Sequence, residues 1–246
     1  MKAQSCQGEF TIVGVGPGDP ELLTLKAVRS IEAADVVAYP TVSGGRGRAR
    51  EIAAAHVCGQ IELGFEVPMR EDPRPAQMAY DAASAKIAEA LDAGRNVVLL
   101  CEGDAFFYAS AMYIHARLVG RYAIAVVPGV ISLAACAAAA GQPLGSRNEV
   151  FRVVPAPLDE DALRAAFAGD GPIAVIKVGR HFEKVRGVLA DLGRLNDAVI
   201  VEGAATPSQS VSRMAEFTGH KAPYFSTILV AGCMAAPGTA MKVDKA

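Results

Sequence analysis

Short apolar runs alternate with segments of helical spacing along the whole chain, and that alternation narrows what it can fold into. In the first half, residues 10–15, 35–39, 61–67, 96–101 and 122–127 read as strands. Between them, residues 22–34, 78–93 and 107–119 carry helical spacing, and a Gly/Arg-rich loop over 44–50 runs into a further helix. In the second half, strands at 150–154, 173–178, 198–202 and 224–231 alternate with helices at 132–140, 159–167 and 182–192. A short element at 211–216 stays undecided. Regular strand–helix alternation specifies α/β architecture. A seam near residue 125 divides the chain into two α/β domains, 1–124 and 125–246, each of a size that can fold around its own core. No internal repeat is visible.

Composition excludes several classes. The 246 residues include 24 basic and 26 acidic side chains, a formal net charge of -2. That balance argues against a nucleic-acid binder or a polybasic membrane adsorber, which need a large field of one sign. With 52% hydrophobic and 20% charged residues the chain can bury a core. The stretch from Tyr122 to Ser146 carries no charge, long enough to raise a membrane question. Pro128-Gly129 interrupts it and its second half is mostly Ala, so a buried strand, a turn and a helix are expected there, and no membrane partner. Cys6, Cys58, Cys101, Cys136 and Cys233 form no CxxC pair, and His56, His115, His181 and His220 show no ligand spacing. Neither a disulfide framework nor a metal site is expected, and a reducing cytoplasm is the expected compartment. The polar first nine residues give no sign of a signal peptide.

Three loops at strand ends are candidates for ligand binding. Gly14-Val15-Gly16-Pro17-Gly18-Asp19-Pro20 follows the first strand. It departs from the dinucleotide pattern G-x-G-x-x-G, since Asp19 holds the sixth position. Pro17 removes an N–H that a phosphate cradle would use, so a ligand without phosphates is expected. Asp19 with Pro20 behind it also suits a helix cap. Glu102-Gly103-Asp104 lies at the carboxyl end of the most hydrophobic strand, where open parallel sheets bind ligands. Phe106-Phe107-Tyr108 supplies apolar surface beside it. Pro128-Gly129 repeats the logic before a helix starting near Ser132. No G-x-S-x-G nucleophile elbow is present.

These residues resemble a family. The run from Gly14 to Ala27, GVGPGDPELLTLKA, looks like the opening signature of the tetrapyrrole (corrin and porphyrin) methylases. Gly103-Asp104 and Pro128-Gly129-Val130-Ile131-Ser132 match its second and third ligand loops in order and spacing, and the resemblance covers residues 8–235. Tyr39-Pro40, Ala49-Arg50-Glu51-Ile52-Ala53, the stretch from Lys177 to Val185 and that from Tyr224 to Val230 are similar to the group that methylates C20 of precorrin-2 in cobalamin synthesis. The resemblance implies two α/β domains with a ligand cleft between them, S-adenosyl-L-methionine (SAM) as cofactor, S-adenosyl-L-homocysteine (SAH) as product, and a homodimer. It implies SAM contacts from Pro17 in the first loop and from Glu102, Gly103 and Asp104 in the second, with Phe107 nearby. Ile131 and Ser132 hold the third loop's place, Val178 and Ala204 supply contacts from the second half, and Thr227 reaches the adenine. Two departures stand out. Ile131 replaces the usual Thr and removes its side-chain hydrogen bond. Pro40 stands where uroporphyrinogen-type relatives carry an Asp proposed as proton acceptor, which points toward the C20 group.

Methyl transfer from a sulfonium to an electron-rich carbon requires alignment above all. A proton leaves afterward, and Glu102, Asp104, Tyr39, His181 and solvent are all candidates to take it. A tetrapyrrole rich in carboxylates calls for Arg, whose planar fork binds them bidentately. Arg46, Arg48 and Arg50 cluster in one loop and Arg180 sits in the second half, and these four are the expected substrate contacts. Arg70, Arg74 and Arg147 lie in other loops. A cobalt-loaded substrate, another corrin carbon, a diphthamide-type protein methylase and a non-catalytic corrinoid or nucleotide binder remain the alternatives.

Overall fold

A computed structural model describes residues 7–41, 45, 47–68 and 72–232. The chain divides into two compact units, Met1–Ile131 and Ser132–Ala246.

The first unit is built on a five-stranded parallel sheet. Its strands are β1 (Phe10–Gly14), β2 (Val36–Thr41), β3 (Ile61–Glu66), β4 (Val97–Cys101) and β5 (Ile124–Val127), in the order β3-β2-β4-β1-β5. Helices α1 (Leu25–Glu32), α2 (Arg48–Ile52), α3 (Arg74–Asp92) and α4 (Ala111–Leu118) cover it. Side chains alternate across the pleat. Phe10 and Ile12 of β1 and Val97 and Leu99 of β4 pack toward α3 and α4. Val13, Val98 and Leu100 pack on the other face with Ala27 and Ile31 of α1 and Ala49 of α2. Both faces are covered, which is why β1 and β4 read as continuous apolar runs. Burying one Phe or Leu in such a layer is worth about 1.5–3 kcal/mol.

The second unit holds a mixed sheet. After α5 (Ser132–Ala140) come β6 (Arg152–Pro155), α6 (Glu160–Phe167), β7 (Ile173–Ile176), α7 (Phe182–Asp191), β8 (Ala198–Glu202), β9 (Ser210–Arg213) and β10 (Ser226–Val230). The order is β6-β7-β10-β8-β9, with β6 and β7 parallel and the other neighbours antiparallel. β10 therefore runs between β7 and β8 in the opposite direction, and its amino end lies beside their carboxyl ends. Phe167, Ile173, Val175, Phe182, Leu189, Ile200 and Ile228 form the main core.

Local chemistry moves several boundaries. Residues 22–34 do not form one helix. Asp19 accepts the Glu21 N–H at 2.8 Å and caps a 3-10 turn over Pro20–Leu22, while Thr24 accepts the Ala27 N–H at 3.1 Å and caps α1. The helix expected from 107 starts at Ala111, because Asp104 holds the Phe106 N–H and Tyr108 sits at φ 54°. The undecided element is strand β9. β5 pairs with β1, so it belongs to the first sheet, whereas the sequence reading ended the first half at residue 124. The charge-free stretch resolves into β5, a loop and α5, and no helix among the described residues is long and apolar enough to cross a membrane.

Candidate functional site

In the first unit the loops after β1, β4 and β5 emerge side by side, because β1 lies between β4 and β5. Backbone bonds tie them together. Val15 N–H donates to the Cys101 carbonyl at 2.8 Å, Gly16 N–H to the Gly103 carbonyl at 3.1 Å, and Gly103 N–H returns to the Gly16 carbonyl at 2.7 Å. Gly16 and Gly103 thus form an isolated antiparallel bridge, at φ 82° and 64°, a region that favours glycine. The third loop is pressed against both others. A Cβ on Gly129 would lie 2.1 Å from the Gly103 carbonyl oxygen, and one on Gly14 would lie 2.6 Å from the Gly129 nitrogen. Asp104 completes the knot: one carboxylate oxygen accepts the Phe106 N–H at 2.9 Å and the other accepts the Gly129 N–H at 3.0 Å. Pro17, Gly103 and Asp104 are thereby brought together, and the N–H groups of Val15 and Gly16 are committed to the protein. That leaves a poor cradle for phosphate, in keeping with Pro17.

Glu102 is half-buried beside this knot. Burial raises its carboxyl above the ordinary range, Arg48 pulls it down and Glu51 pushes it up. Its carboxylate makes no side-chain hydrogen bond among the described residues. Beneath the loop, burial pushes the Cys101 thiol up to about 12, so it stays protonated. Phe107 is half-buried and meets Tyr108 edge-on at 5.2 Å.

The arginine cluster separates. Arg46 lies outside the described residues. Arg48 Nη2 donates to the Pro17 carbonyl at 3.0 Å. Arg50 is only 9% exposed and places both ends of its fork on Glu62, at 2.8 and 3.0 Å. Tyr39 donates its hydroxyl to the same carboxylate at 2.6 Å. Arg50 therefore moves from expected substrate contact to an internal ion pair, and Tyr39 gives its proton donor to Glu62. Glu62 was missed in the sequence; the signal available was a carboxylate inside the apolar run that became β3, next to the strand carrying Tyr39.

In the second unit the expected residues share one end of the sheet. Val178 follows β7, Ala204 follows β8 and Thr227 is the second residue of β10. The Gly203 N–H donates to the Phe225 carbonyl at 3.0 Å, which ties the loop after β8 to the start of β10. Val178 and Ala204 are buried, so they offer a ligand backbone rather than side chain. Beside them, Lys177 and Ala205 sit at φ 58° and 57°. Left-handed backbone at non-glycine residues costs energy and gathers at ligand sites. Thr227 is buried, and the Cys136 thiol of α5 has its pKa raised by burial and lowered by Thr227. Its neighbour Ser226 has a buried hydroxyl without a partner among the described residues. Arg180 is exposed, and its Nε donates to Nε2 of His181 at 3.4 Å. Ile131 ends the first unit and Ser132 opens α5, both half-buried. No group of three or more His, Cys, Asp or Glu suited to a metal ion occurs among the described residues.

Comparison with known proteins bears on the same residues. The family model described as Tetrapyrrole (Corrin/Porphyrin) Methylases matches residues 9–216. The Cobalamin biosynthesis protein CobIJ of Mycobacterium tuberculosis is 41% identical over 93% of this chain and 47% of its own length. The chain thus spans about half the length of that relative. A Precorrin-2 C(20)-methyltransferase of Sinorhizobium sp is 37% identical over 92% of this chain and 96% of its own. Among solved structures, a uroporphyrin-III C-methyl transferase from Thermus thermophilus complexed with S-adenyl homocysteine superposes with a TM-score of 0.68 at 26% identity, covering 91% of this chain and 97% of that one. With the loops in that order and the model matching across them, the chain belongs to the tetrapyrrole (corrin/porphyrin) methylase family.

Proposed function

We propose that the chain is a SAM-dependent C-methyltransferase that methylates C20 of precorrin-2 to give precorrin-3A in cobalamin biosynthesis. The observation that carries this reading is the likeness to the Sinorhizobium precorrin-2 C(20)-methyltransferase along 96% of that protein. The closely approached glycines of the three first-unit loops support it, because they leave backbone rather than side chain at the surface a cofactor would meet. SAM supplies an electrophilic methyl group on a sulfonium. Pro17, Glu102, Gly103, Asp104 and Phe107 of the first unit and Ser132, Val178, Ala204 and Thr227 of the second are the residues proposed to hold it, with Ile131 keeping the third loop's place. The Glu102 carboxylate suits a neighbouring cation, and Phe107 excludes water.

Among the candidate proton acceptors the geometry favours Glu102. Both Asp104 oxygens accept backbone N–H groups, the Tyr39 hydroxyl donates to Glu62, and His181 Nε2 accepts from Arg180. Glu102 keeps a carboxylate whose affinity for a proton is raised by burial. Arg180, exposed, is proposed to meet a substrate carboxylate, as is Arg46. The family resemblance supports action as a homodimer in the cytoplasm.

Incubation with precorrin-2 and methyl-labelled SAM, read by mass and carbon NMR, tests the proposal. Label at C20 supports it; label at another carbon, or none, overturns it. A second reading, the cobalt-loaded substrate, is favoured by a Salmonella typhimurium relative named Cobalt-precorrin-2 C(20)-methyltransferase, 28% identical over 91% of this chain. Competition between metal-free and cobalt-loaded substrate separates the two.

A further inference from the structure

We infer that Arg48 is a positioning residue for the first ligand loop: carried on α2, its guanidinium pins the Pro17 carbonyl and so sets how that loop meets the cofactor. The inference rests on the proposed SAM-dependent activity, and it removes Arg48 from the residues expected to bind substrate carboxylates.

The base from which Arg48 reaches is fixed. Ala49 and Ile52 of α2 are buried in the core against β2 and β4. Arg50 is bound through two hydrogen bonds to Glu62, which also holds the Tyr39 hydroxyl. Just before α2 the chain turns at Gly47, at φ 83°, where a Cβ would lie 2.3 Å from the Pro40 carbonyl oxygen. An arginine extending from such a base delivers its fork to a defined place.

The group it holds is a single backbone carbonyl. Pro17 is buried and has no N–H, so its carbonyl is its only backbone polar group. Arg48 satisfies that carbonyl at 3.0 Å. A buried carbonyl left unpaired is costly, so a chain lacking this donor would shift the loop toward water. The shift would not stay local, because Gly16 is bonded both ways to Gly103 and the two loops move together. Arg48 also acts on Glu102 of the second loop, whose carboxyl it lowers against the rise caused by burial. One side chain thus braces two segments proposed to meet SAM.

Titration calorimetry with SAH, paired with steady-state kinetics on the tetrapyrrole, tests this. Wild type must bind SAH; failure there overturns the proposed activity itself before any variant is made. Arg48→Gln is expected to weaken SAH binding about tenfold, about 1.4 kcal/mol, with the tetrapyrrole KM changed by less than about twofold. Arg48→Lys, which keeps the charge and one donor, should recover part of the loss, to about threefold. The opposite split, an unchanged SAH constant with a raised tetrapyrrole KM, overturns the inference, as does no change in either. If Arg48→Gln does not fold, the Lys variant decides on the same split.

Discussion

Each of the two sheets brings separate chain segments to one end, and each holds them differently. In the parallel sheet the loops are locked by backbone: the Gly16–Gly103 bridge, the close approach of Gly14 and Gly129, and both oxygens of Asp104 on N–H groups. In the mixed sheet the segments meet because β10 runs antiparallel between β7 and β8, and the turns carry Lys177 and Ala205 in left-handed backbone. At Gly14 and Gly129 the first end has no room for added atoms, whereas at Lys177 and Ala205 the second bears strain that a smaller residue would relieve. The two therefore respond to substitution with opposite signs.

The largest effect is expected at the glycine knot. Gly129→Ala drives a methyl into the Gly103 carbonyl and should cost about 3 kcal/mol with loss of SAH binding; denaturant titration and calorimetry check both. A variant as stable as wild type would mean the three loops are not locked. Asp104→Asn leaves one backbone N–H facing an amide donor and should cost about 2 kcal/mol, together with SAH affinity. A large stability loss with normal turnover would make Asp104 a brace alone. In the second unit Ala205→Gly should raise stability by about 0.5–1 kcal/mol, since relief of the left-handed alanine exceeds the added chain entropy. A loss there would show that Ala205 is not strained, and would break the comparison.

Glu102 sharpens the contrast from within the first unit. Its folded pKa lies above the unfolded one, so the folded state binds the extra proton. Stability from this group is present below the unfolded pKa and is lost as pH rises through the folded pKa. At neutral pH the buried charge is a burden, and Glu102→Gln should raise the melting midpoint by on the order of 2 °C while lowering kcat. If Glu102 accepts the departing proton, wild-type kcat rises with pH and levels off at an inflection above the ordinary carboxylate range. A kcat flat in pH, or untouched by Glu102→Gln, excludes that role.

Most of the architecture was legible in the sequence because it is written in local periodicity. Short apolar runs became strands, and the α5 range of 132–140 was read to the residue. What periodicity does not carry is partnership over distance. Charge clustering in 44–50 suggested three equivalent arginines, yet Arg50 had already been claimed by Glu62 on β3 and Arg48 by a carbonyl on the first loop. Counting charges along the chain is blind to a carboxylate on a neighbouring strand. The helix start at 107 failed for a related reason. Helical spacing continues through Phe107 and Tyr108, but the Asp104 side chain captures the Phe106 N–H and the backbone turns left-handed at Tyr108.

The crowding of Gly14 by Gly103 and Gly129 also bears on how the protein is made. On the ribosome Gly14 emerges well before the two segments that shape its loop, with at least three strands and several helices between. Until Gly129 is free of the exit tunnel, the first two loops lack the third that presses against them. Pairings between residues this far apart in sequence form slowly and late. The knot of three loops is thus among the last parts of the first unit to mature, and a nascent chain paused before Gly129 would carry the family's signature residues without the shape they specify.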